Sequence, residues 1–136
     1  MPSAVELRLQ RLHTVLAAAF PGRPVERGRD GGIAPEECPA INIRRGEVQT
    51  SVIGLNTVMH TGTVEIDFLR VGADHETLND ADHQAAHTAL FADALLAACL
   101  TSLVSTDTES ASGESPVGRL TARYEFALTT ARNTLA

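Results

Sequence analysis

An α+β fold, with a mostly antiparallel sheet and helices packed on one face, follows from three observations. An amphipathic helical pattern opens the chain, period-two alternation dominates residues 40–69, and an Ala/Leu-rich helical stretch separates those strands from a closing one. The order is helix, several strands, helix, strands, with no internal repeat. At 136 residues the chain has the size of one domain and can bury about two-thirds of its unfolded surface. Residues 1–136 are therefore read as a single domain, with 129–136 expected to be a frayed C-terminal extension.

Ser3 and Glu6 form a capping-box pattern, and Val5, Leu9, Leu12, Leu16 and Ala19/Phe20 recur at helical spacing, leaving Arg8, Gln10 and Arg11 on the wet face. Pro21-Gly22 stops this helix, and a short strand at 25–27 follows. Gly28, Gly31, Gly32, Pro35 and Pro39 predict a loop in which Ile33 is the only large apolar residue. Ala40-Ile41-Asn42-Ile43-Arg44 then alternates, with the two isoleucines on one face. A second extended stretch covers 47–53, and Gly54-Leu55-Asn56 turns it back onto a third. In that third strand Val58, Val64, Ile66 and Phe68 share one parity, interrupted by His60 and Gly62. Met59, Thr61, Thr63, Glu65, Asp67 and Leu69 share the other.

Beyond Gly72 the chain turns acidic, and Asn79 or Asp80 is expected to cap a helix carrying Ala81, Ala85, Ala86, Ala89 and Leu90. The helical pattern continues over 91–104 through Leu95, Leu96, Cys99, Leu100 and Leu103, after a kink near Asp93. Residues 105–116 read as an edge strand followed by a mobile loop. The closing strand turns Leu120, Ala122, Tyr124, Phe126 and Leu128 to the core and Thr121, Arg123 and Glu125 away from it.

Composition excludes several function classes. No run approaches the ~18 apolar residues of a membrane span, and the N-terminus has no basic region leading into an apolar core, so a soluble protein made in the cytoplasm is expected. Cys38 and Cys99 have neither redox-pair nor zinc-knuckle spacing and are expected to be free thiols. The net charge of −6 disfavours nonspecific attraction to DNA, and the absence of Trp with few other aromatics leaves little to stack single-stranded bases. All eleven basic residues are Arg, a bias ascribed to codon usage in a GC-rich genome.

The sharpest local feature is Asp80, Asp82, His83 and His87, since two His at i and i+4 leave a helix on the same side and can grip one metal ion. Asp74 and His75 lie in the preceding loop, within reach of such a site. A His-Glu-x-x-His hydrolase needs a Glu after the first His, whereas Gln84 stands there and cannot take a proton. The plain reading is a pair of solvent-facing histidines, with a small metal-dependent enzyme as the rival. No Gly-x-Ser-x-Gly elbow exists, and Gly28-Arg29-Asp30-Gly31-Gly32 lacks the ending of a phosphate loop. No catalytic, cofactor-binding or metal residue is assigned. Asn42, Arg44, Glu65, Asp67, Arg123 and Glu125 place both signs of charge on adjoining strands. This polar face is either solvated or a head-to-tail subunit interface.

The runs Gly22-Arg23-Pro24-Val25, then Glu37-Cys38-Pro39-Ala40-Ile41-Asn42-Ile43, then Gly62-Thr63-Val64-Glu65-Ile66-Asp67-Phe68 resemble the first half of the bacteriophage tail terminator family typified by the lambda minor tail protein U. The acidic helix of 80–91, the Leu-rich segment of 95–104, the acidic loop and the closing strand from Leu120 to Phe126 resemble its second half in order and length. The resemblance implies a structural virion protein that requires no cofactor and no chemistry. It implies a hexameric ring at the head-proximal end of the tail, assembled in the host cytoplasm, which stops tube polymerisation and presents the surface for head-tail joining. Its partners would be further copies of itself, the tail tube protein and a head-tail connector, with DNA passing through the lumen without sequence-specific binding. Another neck or tail-completion role, or a non-phage adaptor, is the alternative. On this reading Ile33, Val52 and Leu55 are exposed on loops that dock the tube or a neighbouring subunit. Arg44 or Arg123 of one subunit would pair with Glu65 or Asp67 of the next.

Overall fold

Ser3 starts the first helix as its sequence predicts: its hydroxyl accepts from the Glu6 amide at 3.1 Å, and α1 (Ala4–Ala19) buries Val5, Leu9, Leu12 and Leu16 along one stripe. Phe20 closes it, and Gly22 takes the positive φ that reverses the chain. The computed structural model describes residues 2–29, 33–110 and 117–131. The remaining elements are β1 (Val25–Arg27), a single 3-10 turn at Pro35–Glu37, β2 (Ala40–Val52), β3 (Thr57–Val71), α2 (His75–Ala92), α3 (Ala94–Cys99), β4 (Leu100–Ser110) and β5 (Val117–Ala131).

The five strands of the described residues form one sheet in the order β1-β2-β3-β5-β4, with β1 parallel to β2 and the other pairs antiparallel. The expected α+β class is the observed one. The three helices lie on the face that carries Ile41, Ile43, Val64, Ile66, Phe68, Leu120, Ala122, Tyr124 and Phe126, and these side chains form the core with the α1 stripe, Ala86, Leu90 and Leu96. The other face is not uniformly wet. Asn42 and Asp67 are buried there, and the Asn42 side chain exchanges two hydrogen bonds with the Arg29 backbone, tying the loop before β2 to the sheet.

Several local expectations are corrected. The two stretches predicted as separate strands, 40–44 and 47–53, are one strand whose register slips between Arg45 and Val48. A Cβ at Gly46 would sit 2.1 Å from Thr63 Oγ1, so glycine lets the slipped backbone lie against β3. The slip changes parity, and Arg45 and Val48 face the helices together opposite Val64 and Gly62. Gly62 is open for a second reason, because the Phe126 ring lies over it and a Cβ would meet that ring at 2.9 Å.

Helix α2 begins before the predicted caps, after Asp74, and Asn79 is a buried mid-helix residue that donates to the Gly118 carbonyl. The kink at Asp93 is real. Its Oδ1 caps α3 by accepting from Leu95 and Leu96, while Oδ2 receives Arg11 of α1 at 2.8 Å. The helical pattern predicted to reach 104 stops at Cys99, because Leu100 onward pairs with β5. Residues 129–131, expected to fray, are paired with Met59, Val58 and Thr57, and Thr130 is buried and bonded to His60 at 2.8 Å. Residues 132–136 and most of the loop predicted before Pro116 lie outside the described residues.

Candidate functional site

Four of the charged residues singled out on the polar face, Arg44, Glu65, Asp67 and Arg123, do meet, but within one chain. The register sets Arg44 of β2 opposite Glu65 of β3, and Glu65 opposite Arg123 of β5. Arg44 reaches Glu65 at 2.9 Å and grips both oxygens of Asp67, at 2.7 and 2.8 Å, while Arg123 reaches Glu65 at 3.1 Å. Thr121 donates to Asp67 at 2.6 Å. The Asp67 bond, with the nearby Asp67 and Glu65 charges, raises the Arg44 pKa against the opposing effect of burial. The pairing expected between copies is thus already complete inside the sheet, since antiparallel register places alternating charges side by side. With Ser105, Asp107 and Arg119, the side chains of Arg44, Glu65 and Arg123 line an open groove of about 520 Å³.

The loop residues divide. From Gln49 to Asn56 every residue of the β2–β3 hairpin end is exposed, and at its tip Val52, Ile53 and Leu55 are 61%, 52% and 86% accessible. This matches the expectation for Val52 and Leu55. Ile33, expected to be exposed, is half-buried in the segment held at the opposite end of β2, where Arg29 binds Asn42 and Glu37.

Strand β4 is a sheet edge exposed along 101–110, including Leu103 and Val104. Register slips near residues 101 and 104, together with the carboxylates of Asp107 and Glu109, are devices that discourage pairing along an edge. Glu109 is itself paired with Arg119.

The α2 histidines do not face solvent, correcting that expectation. His83 is buried, His87 is half-buried, and both rings bond the hydroxyl of Tyr124, through His83 Nε2 at 2.8 Å and His87 Nδ1 at 2.9 Å. Burial and the neighbouring His87 push the His83 pKa down against Asp80, and burial pushes the Tyr124 phenol up to about 12. Asp82 is held by Arg23 and Arg70 at 2.8 and 2.7 Å, Asp80 accepts from Gln84, and His75 bonds Ser110. Among the described residues no three His, Cys, Asp or Glu side chains converge as a metal ion would need. Sequence reasoning put Tyr124 in the core without a partner for its hydroxyl. The available signal was the spacing Asn79, His83, Ala86, His87, Leu90, which sets both histidines on the buried stripe.

No helix of the described residues is long and apolar enough to cross a membrane. No protein-family model matches the chain, and no curated protein matches it.

Proposed function

We propose that this chain is a ring-forming structural protein of a bacteriophage tail. In this role it caps the head-proximal end of the tube, halts polymerisation and receives the head-tail connector. The observation that carries the reading is the apolar tip of the β2–β3 hairpin, where Val52, Ile53 and Leu55 are held in water by a regular strand pair. Apolar side chains grouped on an exposed turn mark a docking surface. The occupant in this reading is a neighbouring copy or the tube. The charge ladder around Glu65 then serves to stiffen the sheet that carries the hairpin. The order of elements, helix, strands, helices and strands, is compatible with this reading.

The test is assembly. Sedimentation of the purified chain gives a ring mass, and adding the chain to polymerising tube protein shortens the tubes. Ile53→Asp with Leu55→Asp abolishes both effects while the circular dichroism of the fold is retained. A chain that stays monomeric at every concentration and leaves tube length unchanged overturns the proposal.

A further inference from the structure

Tyr124 lies in the middle of β5 with no exposed surface, and α2 presents two imidazoles to its single hydroxyl. The i, i+4 spacing sets the rings one turn apart on the same side of α2, so both reach the same oxygen. A phenol has one proton and two lone pairs, so it donates to one ring and accepts from the other. The two histidines must therefore present opposite tautomeric faces to it. Their surroundings differ. His83 is buried with its ring 5.7 Å from that of Phe68, whereas half-buried His87 stacks on Tyr124 and packs 4.7 Å from Phe91.

We propose that this His-Tyr-His chain is a one-proton latch that seats α2 on the sheet: it keeps its hydrogen bonds when the pair of rings carries one added proton and opens when both rings are protonated. In the singly protonated state His87 Nδ1–H donates to the Tyr124 oxygen and the Tyr124 O–H donates to His83 Nε2. Every polar atom of the chain then has a partner. A second proton turns His83 Nε2 into a donor as well, leaving the buried phenolic proton without an acceptor. It also sets two cations edge to face with ring centroids 6.1 Å apart.

The surroundings offer little relief. On α2, Asp80 favours a charge on His83, while Asp82 is engaged by Arg23 and by Arg70 of β3. Phe68 is the ring that β3 places against His83, and Tyr124 is the ionisable group supplied by β5. On α1, His13 is bonded to the Val25 carbonyl and Arg11 to Asp93, the residue that caps α3. The latch therefore tolerates one positive charge and not two.

The experiment is histidine NMR on the intact chain between about pH 8 and pH 4.5, read together with hydrogen exchange of the α2 amides. The first proton taken up by the pair leaves α2 protection unchanged. When both rings are protonated, α2 protection falls roughly tenfold or more relative to β3. His83→Gln, which keeps a polar group near the Nε2 position and cannot titrate, carries the loss to lower pH, and Tyr124→Phe uncouples the two titrations. The proposal is overturned if α2 opens with the first proton, or if His83→Gln opens at the wild-type pH. Should His83→Gln fail to fold, the number of protons bound when α2 opens in the unaltered chain decides by itself.

Discussion

Asp67 shows how one side chain can hold an exposed-looking face together. Its carboxylate is only 4% exposed, receives Arg44 and Thr121, and sits on the side of the sheet away from the helices. Asp67→Ala leaves Arg44 with Glu65 alone and strips Thr121 of its acceptor, a loss of about 3 kcal/mol that urea denaturation will read, with Asp67→Asn milder. Glu65→Arg sets a third cation between Arg44 and Arg123. It lowers the urea midpoint of the chain itself, and adding Arg123→Glu recovers part of the loss. A monomer whose stability ignores Glu65→Arg would show that the ladder contributes nothing to the fold. His83 sets a pH dependence whose sign follows from its lowered pKa. The unfolded chain binds its proton first, so stability is full above the ordinary histidine value of ~6.5 and declines as pH falls through and below it. Urea midpoints taken on both sides of that value check the slope, which His83→Gln flattens.

At the level of elements, two glycines decide how β2 and β3 lie together. A side chain at Gly62 would meet the Glu47 carbonyl at 2.7 Å and the Phe126 ring at 2.9 Å. Gly62→Val is expected to destabilise by roughly 1–3 kcal/mol, visible in thermal unfolding, because neither a strand carbonyl nor a packed ring can yield freely. Ser3→Ala removes the α1 cap and lowers stability by about 1 kcal/mol in the same assay. The cap, the stripe on α1 and the strand parities were legible because each is written within a few neighbouring residues. The bulge was not: glycine at position 46 is explained only by Thr63 on the next strand. The end of α3 was hidden likewise. Leu100 and Leu103 fit a helical stripe, and only pairing with β5 turns them into a strand.

For the whole molecule, the hairpin tip carries the most exposed large apolar side chains among the described residues. Because Ile53 and Leu55 are exposed, Ile53→Asp with Leu55→Asp should leave the unfolding free energy read from urea denaturation within about 0.5 kcal/mol of the parent while removing any assembly seen by sedimentation. Loss of folding in that variant would mean the tip belongs to the core. What the sequence determined by itself is the α+β class, the buried stripe of α1, the inward parity of β3 and β5, and the exposed apolar turn at Leu55. Each depends on periodicity or turn chemistry, which are local. Only the tertiary structure decided which groups satisfy one another. Tyr124 takes its two histidines from about 40 residues away, at separations of 41 and 37, and Glu65 takes Arg123 from 58 residues away. A partner at that distance leaves no periodic trace, because it is chosen by strand register and helix placement and not by spacing along the chain.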